Sequence, residues 1–132
     1  MKKHRGQLSS EEFEYVEKVI QRMRRIPPSR YDITEHCRHE MQNDRFEPIT
    51  EQELYICFTY GDFFEINRCD DSFRIALRYG TSEEYDTIIV VDVVRLAIVT
   101  AYKNHRTDLH HTIDWSRYNW MDSVVNYVGK MD

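Results

Sequence analysis

The stretch SFRIALRYG, residues 72–80, alternates apolar and polar side chains along its length. The apolar positions on one side are Phe73, Ile75, Leu77 and Tyr79. The other side carries Arg74 and Arg78. Successive side chains of a β-strand point to opposite faces, so this period of two predicts a strand with one buried face. A shift of one residue would turn the apolar side to water, so the pattern also predicts the register.

Three further strand-like stretches surround this segment. FFEIN (63–67) precedes it across a polar turn, and TIIVVDVV (87–94) and LAIVTAY (96–102) follow it. The last two are rich in β-branched residues and are separated by about two residues near Val94 and Arg95, which predicts a hairpin. Together the four stretches predict a four-stranded antiparallel sheet.

Helices are predicted on both sides of these strands. Ser9 with Glu12, and Thr50 with Glu53, have the spacing of capping boxes, which predicts helices over about residues 9–26 and 50–60. Another helix is predicted over about 33–43, with Asp32 or Thr34 as its cap, and NWMDSVVNYVGK (119–130) predicts a short C-terminal helix. Helices packed on one face of an antiparallel sheet are typical of the α+β class, and 132 residues is the length of a single domain.

Charge is unevenly distributed along the chain. The net charge is −5, yet residues 1–31 hold eight Lys and Arg against four Glu. Residues 32–132 hold the other ten basic residues against nineteen acidic ones, which leaves this main body at −9. An acidic body repels phosphate backbones at long range, so RNA binding would need a local basic patch or the basic first helix.

The composition also indicates in which cellular compartment the protein is expected. No apolar run reaches the roughly 18 residues of a membrane-spanning helix, and no apolar core follows the basic N-terminus as it would in a secretory signal. The three cysteines are odd in number and lack a CxxC spacing, which favours reduced thiols. We therefore expect a cytoplasmic protein without a membrane partner.

Histidines cluster in ITEHCRHEMQNDRF (33–46), where His36, His39 and Glu40 would share one helix face. Further candidate metal ligands are His105, His110 and His111. The helix lacks an HExxH motif, and two adjacent histidines are poorly placed to act as two ligands from a regular strand. We therefore expect no metal and no other cofactor.

Acid–base chemistry without a metal is an alternative for the polar strand residues. Cleavage of a phosphodiester by its 2′-hydroxyl needs a general base, a general acid and cations for the phosphorane charge. Arg74 and Arg78 are neighbours on one face of their strand, and Thr100 and Tyr102 share a face of the last strand. The other interpretation is that both arginines are solvated residues paired with Asp or Glu across the sheet.

Five fragments occur here in a distinctive order. They are ITEHCRHEM with Arg45, ITEQEL, GDFFEIN, SFRIALRYG and TIIVVDVVRLAIVTAYKN. Their order resembles that in a family of small bacterial and phage domains of the RelE-like, or barnase–EndoU–colicin–RelE, superfamily. The resemblance covers about residues 31–108, a RelE-like core, and leaves out the basic first helix (1–30) and the tail with its short helix (109–132).

The resemblance implies a RelE-like fold and a catalytic site. Its members would be His36 on the helix, Arg74 or Arg78 on the middle strand, and Thr100 with Tyr102 on the last strand. In the resembling ribonucleases such groups handle the 2′-hydroxyl proton, the phosphate charge and the leaving oxygen.

Two functions from different classes stay open. The first is a metal-independent endoribonuclease or toxin that acts on RNA with the residues just named. The second is a catalytically silent phage or mobile-element protein that binds and modulates a host or cognate protein. The acidic body favours the second, because it attracts basic protein surfaces and can mimic nucleic-acid charge.

Overall fold

The computed structural model of the chain describes residues 1–108, Tyr118 and Ser123. In this part of the chain three α-helices and a six-stranded sheet form an α+β structure, which confirms the predicted class. The helices are α1 (Ser10–Arg25), α2 (Glu35–Gln42) and α3 (Glu51–Tyr60). The strands are β1 (Lys2–His4), β2 (Asp32–Ile33), β3 (Asp62–Cys69), β4 (Ser72–Gly80), β5 (Tyr85–Asp92) and β6 (Ala97–His105). The helix predicted at 119–130 lies outside the described residues.

Each α-helix begins at a polar cap that the sequence predicts. The Ser9 hydroxyl accepts a hydrogen bond from the Glu12 amide at 3.1 Å, and the Glu12 carboxylate accepts one from the Ser9 amide at 3.0 Å. The same reciprocal pair forms at the start of α3, and Thr34, rather than Asp32, caps α2. These bonds satisfy backbone donors that the first helical turn leaves unpaired. The three helix predictions are therefore confirmed for their positions.

The sheet has the strand order β1-β3-β4-β5-β6-β2. Strands β3 to β6 pair antiparallel, as predicted, and β1 also pairs antiparallel with β3. At the other edge β2 runs parallel to β6. The prediction of a four-stranded antiparallel sheet is therefore wrong in strand number and in the orientation of one edge. The two missed strands have three and two residues, too few to show an alternating pattern.

The helices cover one face of the sheet, which we call the inner face. Helix α2 packs against β6, and α3 packs against β4 and β5. Helix α1 reaches the same face through Tyr15, whose ring centroid lies 6.3 Å from that of Phe73. The predicted core positions are fully buried there, namely Leu54, Ile75, Leu77, Ile89, Val91 and Ile98. The alternation in β4 thus predicts both the buried face and the register correctly.

The turn between β5 and β6 differs from the predicted two-residue hairpin. It spans four residues, 93–96, and Leu96 adopts a φ of 52°. One carboxylate oxygen of Asp92 accepts hydrogen bonds from the amides of Val94 and Arg95, each at 3.2 Å. The Asp92 side chain thus stabilises the turn, in which Leu96 adopts a left-handed conformation that is uncommon for leucine.

Candidate functional site on the outer face of the sheet

Four of the five predicted site residues lie on the sheet face opposite the helices, which we call the outer face. Arg78 of β4 is in register with Ile88 of β5, which is in register with Tyr102 of β6. Neighbouring strands are about 4.8 Å apart, so the backbones of Arg78 and Tyr102 lie roughly 10 Å from each other. Arg74 and Thr100 point to the same face, because each lies an even number of residues from these positions along an alternating strand.

Both arginines of this face pair with carboxylates of β5. Arg78 Nε donates to Asp86 Oδ2 at 2.6 Å, and Arg78 Nη2 donates to the His105 carbonyl at 3.0 Å. Arg74 Nε lies 3.6 Å from Asp92 Oδ2, and Asp92 is fully buried. The interpretation that the arginines pair with acids across the sheet is therefore the one seen in the structure.

A third ion pair of the outer face joins β1 to β3. Lys2 Nζ lies 3.1 Å from Glu65 Oε1. The hydroxyl of Tyr118 donates to the other oxygen of Glu65 at 2.8 Å, and the Tyr118 ring meets the His4 ring edge-on at 5.8 Å. Three cations of this face are thus each matched by a carboxylate, with Tyr118 placed against the third pair.

The fifth predicted residue, His36, lies on α2 at the edge of the sheet. Its side chain is 73% exposed, and its Nε2 lies 3.3 Å from Glu40 Oε1 one turn further along the helix. Glu40 and Tyr102 line a common cavity of about 270 Å³ between the end of α2 and β6. The structure therefore brings Arg74, Arg78, Thr100 and Tyr102 onto one face and leaves His36 on a helix that packs against the other face.

A larger cavity, of about 670 Å³, lies at the end of β4 next to Arg78. The charged residues that line it are Arg5, Asp62, Arg78, Asp86 and Arg106. Arg106 Nε lies 3.5 Å from Asp86 Oδ1, so one carboxylate stands between two guanidinium groups. Sequence reasoning missed this cavity because its walls come from five separate segments of the chain. The only local signal was the period of β4, which places Arg78 on the outer face.

The cysteines have the surroundings of structural thiols. Burial raises the pKa of Cys37 to about 11 and that of Cys57 to about 12. A thiol with such a pKa is almost entirely protonated at neutral pH and is a poor nucleophile. Within residues 1–108, Tyr118 and Ser123, no group of three or more His, Cys, Asp or Glu side chains is arranged to hold a metal. The paired histidines His110 and His111 lie outside the described residues.

Comparison with family models, with curated proteins and with solved structures finds no match for this chain. The RelE-like resemblance therefore stays a prediction from the sequence fragments. Across the described residues, no helix combines the length and the apolar character needed to cross a bilayer.

Proposed function

We propose that this chain is a small interaction protein of phage or mobile-element type on a RelE-like scaffold, which binds and modulates a host or cognate protein through an acidic surface. The observation that carries the proposal is the pairwise neutralisation of the outer face. Arg74 is matched by Asp92, Arg78 by Asp86 and Lys2 by Glu65. A phosphate placed on this face would meet carboxylates next to every one of these cations.

The carboxylates next to these cations weaken the binding of RNA for an electrostatic reason. A transferring phosphate is stabilised by cations whose charge is not already compensated. Asp92 is fully buried and Asp86 largely so, which means that water screens their negative charges poorly. To recruit Arg74 or Arg78, a phosphate would have to compete with a buried carboxylate and approach its negative charge, which is unfavourable.

The exposed surface beyond α1 and the following turn is acidic. Between residues 32 and 108 eight carboxylate side chains are exposed against four basic ones. The exposed acids are Asp32, Glu35, Glu51, Asp62, Asp70, Asp71, Glu83 and Glu84. An acidic surface accelerates the encounter with a basic protein partner and disfavours nucleic acid.

Capture from cells, followed by a binding measurement, tests this function. The purified chain should retain a protein partner at low ionic strength, and the affinity of the purified pair should fall as salt is raised past about 0.15 M. Calorimetry with the isolated partner gives that salt dependence. The same preparation should leave labelled RNA intact in chelator. Efficient RNA cleavage without any saturable protein partner would overturn the proposal.

The second candidate is a metal-independent endoribonuclease or toxin. It is supported by the lateral row in which Arg78 and Tyr102 face the same side, with Arg74 and Thr100 beside them. Under this candidate, His36→Ala and Tyr102→Phe each lower cleavage by about 10²–10⁴-fold, the usual contribution of a general acid or base. His39→Ala, an exposed histidine of the same helix, serves as the matched control. Products ending in a 2′,3′-cyclic phosphate would identify this chemistry.

A further inference from the structure

A recess lined by arginines lies at one end of the sheet of this acidic chain. Three guanidinium groups, those of Arg5, Arg78 and Arg106, line the 670 Å³ cavity at the end of β4, against the two carboxylates of Asp62 and Asp86. The charged lining is therefore positive, whereas the whole chain carries −5. Cavities of about 300–1,000 Å³ are the usual size of small-molecule sites. We call this recess the arginine cavity.

The two carboxylates of the arginine cavity are shared among several guanidinium groups. Asp86 lies 2.6 Å from Arg78 Nε and 3.5 Å from Arg106 Nε, so two cations share this one acid. Asp62 interacts electrostatically with Arg24 of α1, which lies outside the cavity lining. The arginines of the cavity are therefore only partly neutralised by the chain's own acids.

Arg5 is held in place by aromatic rings. Its guanidinium lies 5.0 Å from the centroid of the Phe13 ring and 4.9 Å from that of the Phe63 ring, and its Nη1 donates to the Phe63 carbonyl at 3.3 Å. In the described part of the chain no carboxylate forms an ion pair with Arg5. A guanidinium has five N–H donors, so Arg5 keeps donors for a ligand.

The backbone of β4 makes room for Arg106. A Cβ atom at Gly80 would lie 3.0–3.2 Å from three atoms of the Arg106 guanidinium, which is closer than ordinary van der Waals contact. Arg106 Nη1 also donates to the Ser82 carbonyl at 3.1 Å, and half of the side chain is exposed. The absence of a side chain at Gly80 thus lets this guanidinium lie against the strand, at the wall of the cavity.

We propose that the arginine cavity binds a small monoanion, a carboxylate attached to an aromatic ring. Arg5 and Arg106 bind the carboxylate, because a planar guanidinium can donate two parallel hydrogen bonds to it. Phe64 and Tyr79 also line the cavity and supply contacts for the ring. Three positive charges against two negative ones match a single negative charge, and a phosphate dianion would bring a second charge towards the two carboxylates. This site is separate from the acidic surface of the proposed function, so either can fail without the other.

Phenylpropionate is the probe for a direct test, added to the isotope-labelled chain while the amide chemical shifts are followed by NMR. We expect saturable shifts at residues 62–64, 78–80 and 106, with a dissociation constant of about 1 mM for a ligand of this size. The neutral phenylpropionamide should bind at least about tenfold more weakly, and phenyl phosphate no more tightly. The site is overturned if phenylpropionate causes no saturable shifts or if the amide binds equally well. Tighter binding of phenyl phosphate would overturn the carboxylate as its ligand.

Substitutions locate the binding in the arginine cavity. Arg5→Gln and Arg106→Gln should each weaken phenylpropionate binding about five- to tenfold, the loss expected for one charged hydrogen-bond donor group. Arg45→Gln is the matched control for Arg5→Gln and should change binding less than about twofold, because Arg45 is also exposed and lies 4.6 Å from a ring centroid, that of Phe46 in another part of the surface. Equal effects of Arg45→Gln and Arg5→Gln would contradict the assignment.

Gly80→Ala tests the position of Arg106 without removing a charge. The added Cβ displaces the guanidinium, so the variant should weaken phenylpropionate binding as Arg106→Gln does. Thermal unfolding of each variant shows that the fold is kept. Unchanged binding by both Gly80→Ala and Arg106→Gln would overturn the role of Arg106.

A peptide separates the two sources of such a carboxylate. Acetyl-alanyl-phenylalanine with a free C-terminus contains the phenylpropionate group within a chain. Binding no tighter than that of phenylpropionate supports a free small molecule as the ligand. Binding tighter by about tenfold would identify the C-terminus of a protein and overturn the small-molecule assignment. A cellular protein partner that binds the Arg106→Gln variant as tightly as the unaltered chain supports the separation of the two sites, and loss of that partner would contradict it.

Discussion

Lys3 Nζ lies 3.0 and 2.8 Å from the two carboxylate oxygens of Glu12, and both side chains are almost completely buried. The same carboxylate closes the capping box of α1 by accepting a hydrogen bond from the Ser9 amide. One buried ion pair therefore ties the short strand β1 to the start of α1. The backbone pairing with β3 and this ion pair with α1 together hold the three-residue strand in place.

Breaking this pair should destabilise the fold. Lys3→Met leaves the Glu12 carboxylate buried without its cation, and such a loss typically costs about 3–5 kcal/mol. Lys3→Met combined with Glu12→Gln should recover part of that cost, because glutamine is neutral and can still complete the capping box. Urea unfolding of both variants measures the difference.

Lys18→Met is the control for this cycle. Lys18 Nζ lies 3.4 Å from Glu14, and both side chains are mostly exposed, so the expected cost is at most about 0.5 kcal/mol. A Lys3→Met variant as stable as Lys18→Met would contradict the role assigned to the buried pair.

The ion pairs of a second buried lysine, Lys103, make the stability of the fold depend on pH. Lys103 is almost fully buried, and its Nζ lies 2.8 Å from Glu53 Oε2 and 2.5 Å from Glu47 Oε1. Burial alone would raise the pKa of Glu53, but the hydrogen bonds from Lys103 and from the Thr50 amide outweigh it, and the net pKa is lowered. Glu53 therefore contributes stability above its unfolded pKa of about 4.3, and that stability is lost as pH falls through the folded value.

Glu53→Gln should make the fold less sensitive to acid. It removes the charge while keeping the capping box, so the variant should be less stable at neutral pH and lose less stability than the unaltered chain between neutral pH and pH about 3. Glu51→Gln is the control, since the pair of Glu51 with Arg38 is half-exposed. Denaturant titrations at both pH values provide the readout. Parallel pH profiles for the Glu53→Gln variant and the unaltered chain would argue against this assignment.

Leu77 tests the packing of the inner face. It is fully buried in the middle of β4, so Leu77→Ala should lower the free energy of unfolding by about 2–5 kcal/mol. Val94→Ala, in the exposed turn after β5, should change it by less than about 1 kcal/mol. The prediction fails if chemical denaturation gives the two variants similar stabilities.

The three cysteines should differ sharply in reactivity. Cys37 and Cys57 are buried with their pKa values raised to about 11 and about 12, whereas Cys69 at the end of β3 is partly exposed. A thiol reagent at pH about 8 should modify one equivalent quickly and the other two only on unfolding. Cys69→Ser should abolish the fast equivalent. A fast reaction that persists in this variant would show that a buried thiol is accessible.

Local sequence patterns determined much of this fold. The capping boxes at Ser9 and Thr50 are contained within four residues each, so their hydrogen bonds form without help from distant segments. The alternation of β4 specifies its buried face because a shift of one residue would expose Phe73 and Ile75. The same alternation placed Arg74 and Arg78 together on the outer face, where pairing with acids could be anticipated as an alternative.

The tertiary structure alone decided the edges of the sheet and the surroundings of the site. Strand β2 exists because the Asp32 amide bonds to the Leu96 carbonyl, and β1 lies beside β3, where the Arg68 amide donates to the Met1 carbonyl. Arg68, in a stretch predicted as a turn, is instead fully buried with its guanidinium 4.6 Å from the Phe73 ring centroid. The two backbone contacts, Asp32 with Leu96 and Met1 with Arg68, each join residues more than 60 positions apart along the chain, so no periodic or capping signal in a short window encodes them. The placement of Tyr60 beside Tyr79, and of His36 on a helix of the inner face, has the same origin, since the packing of whole helices on the sheet sets both.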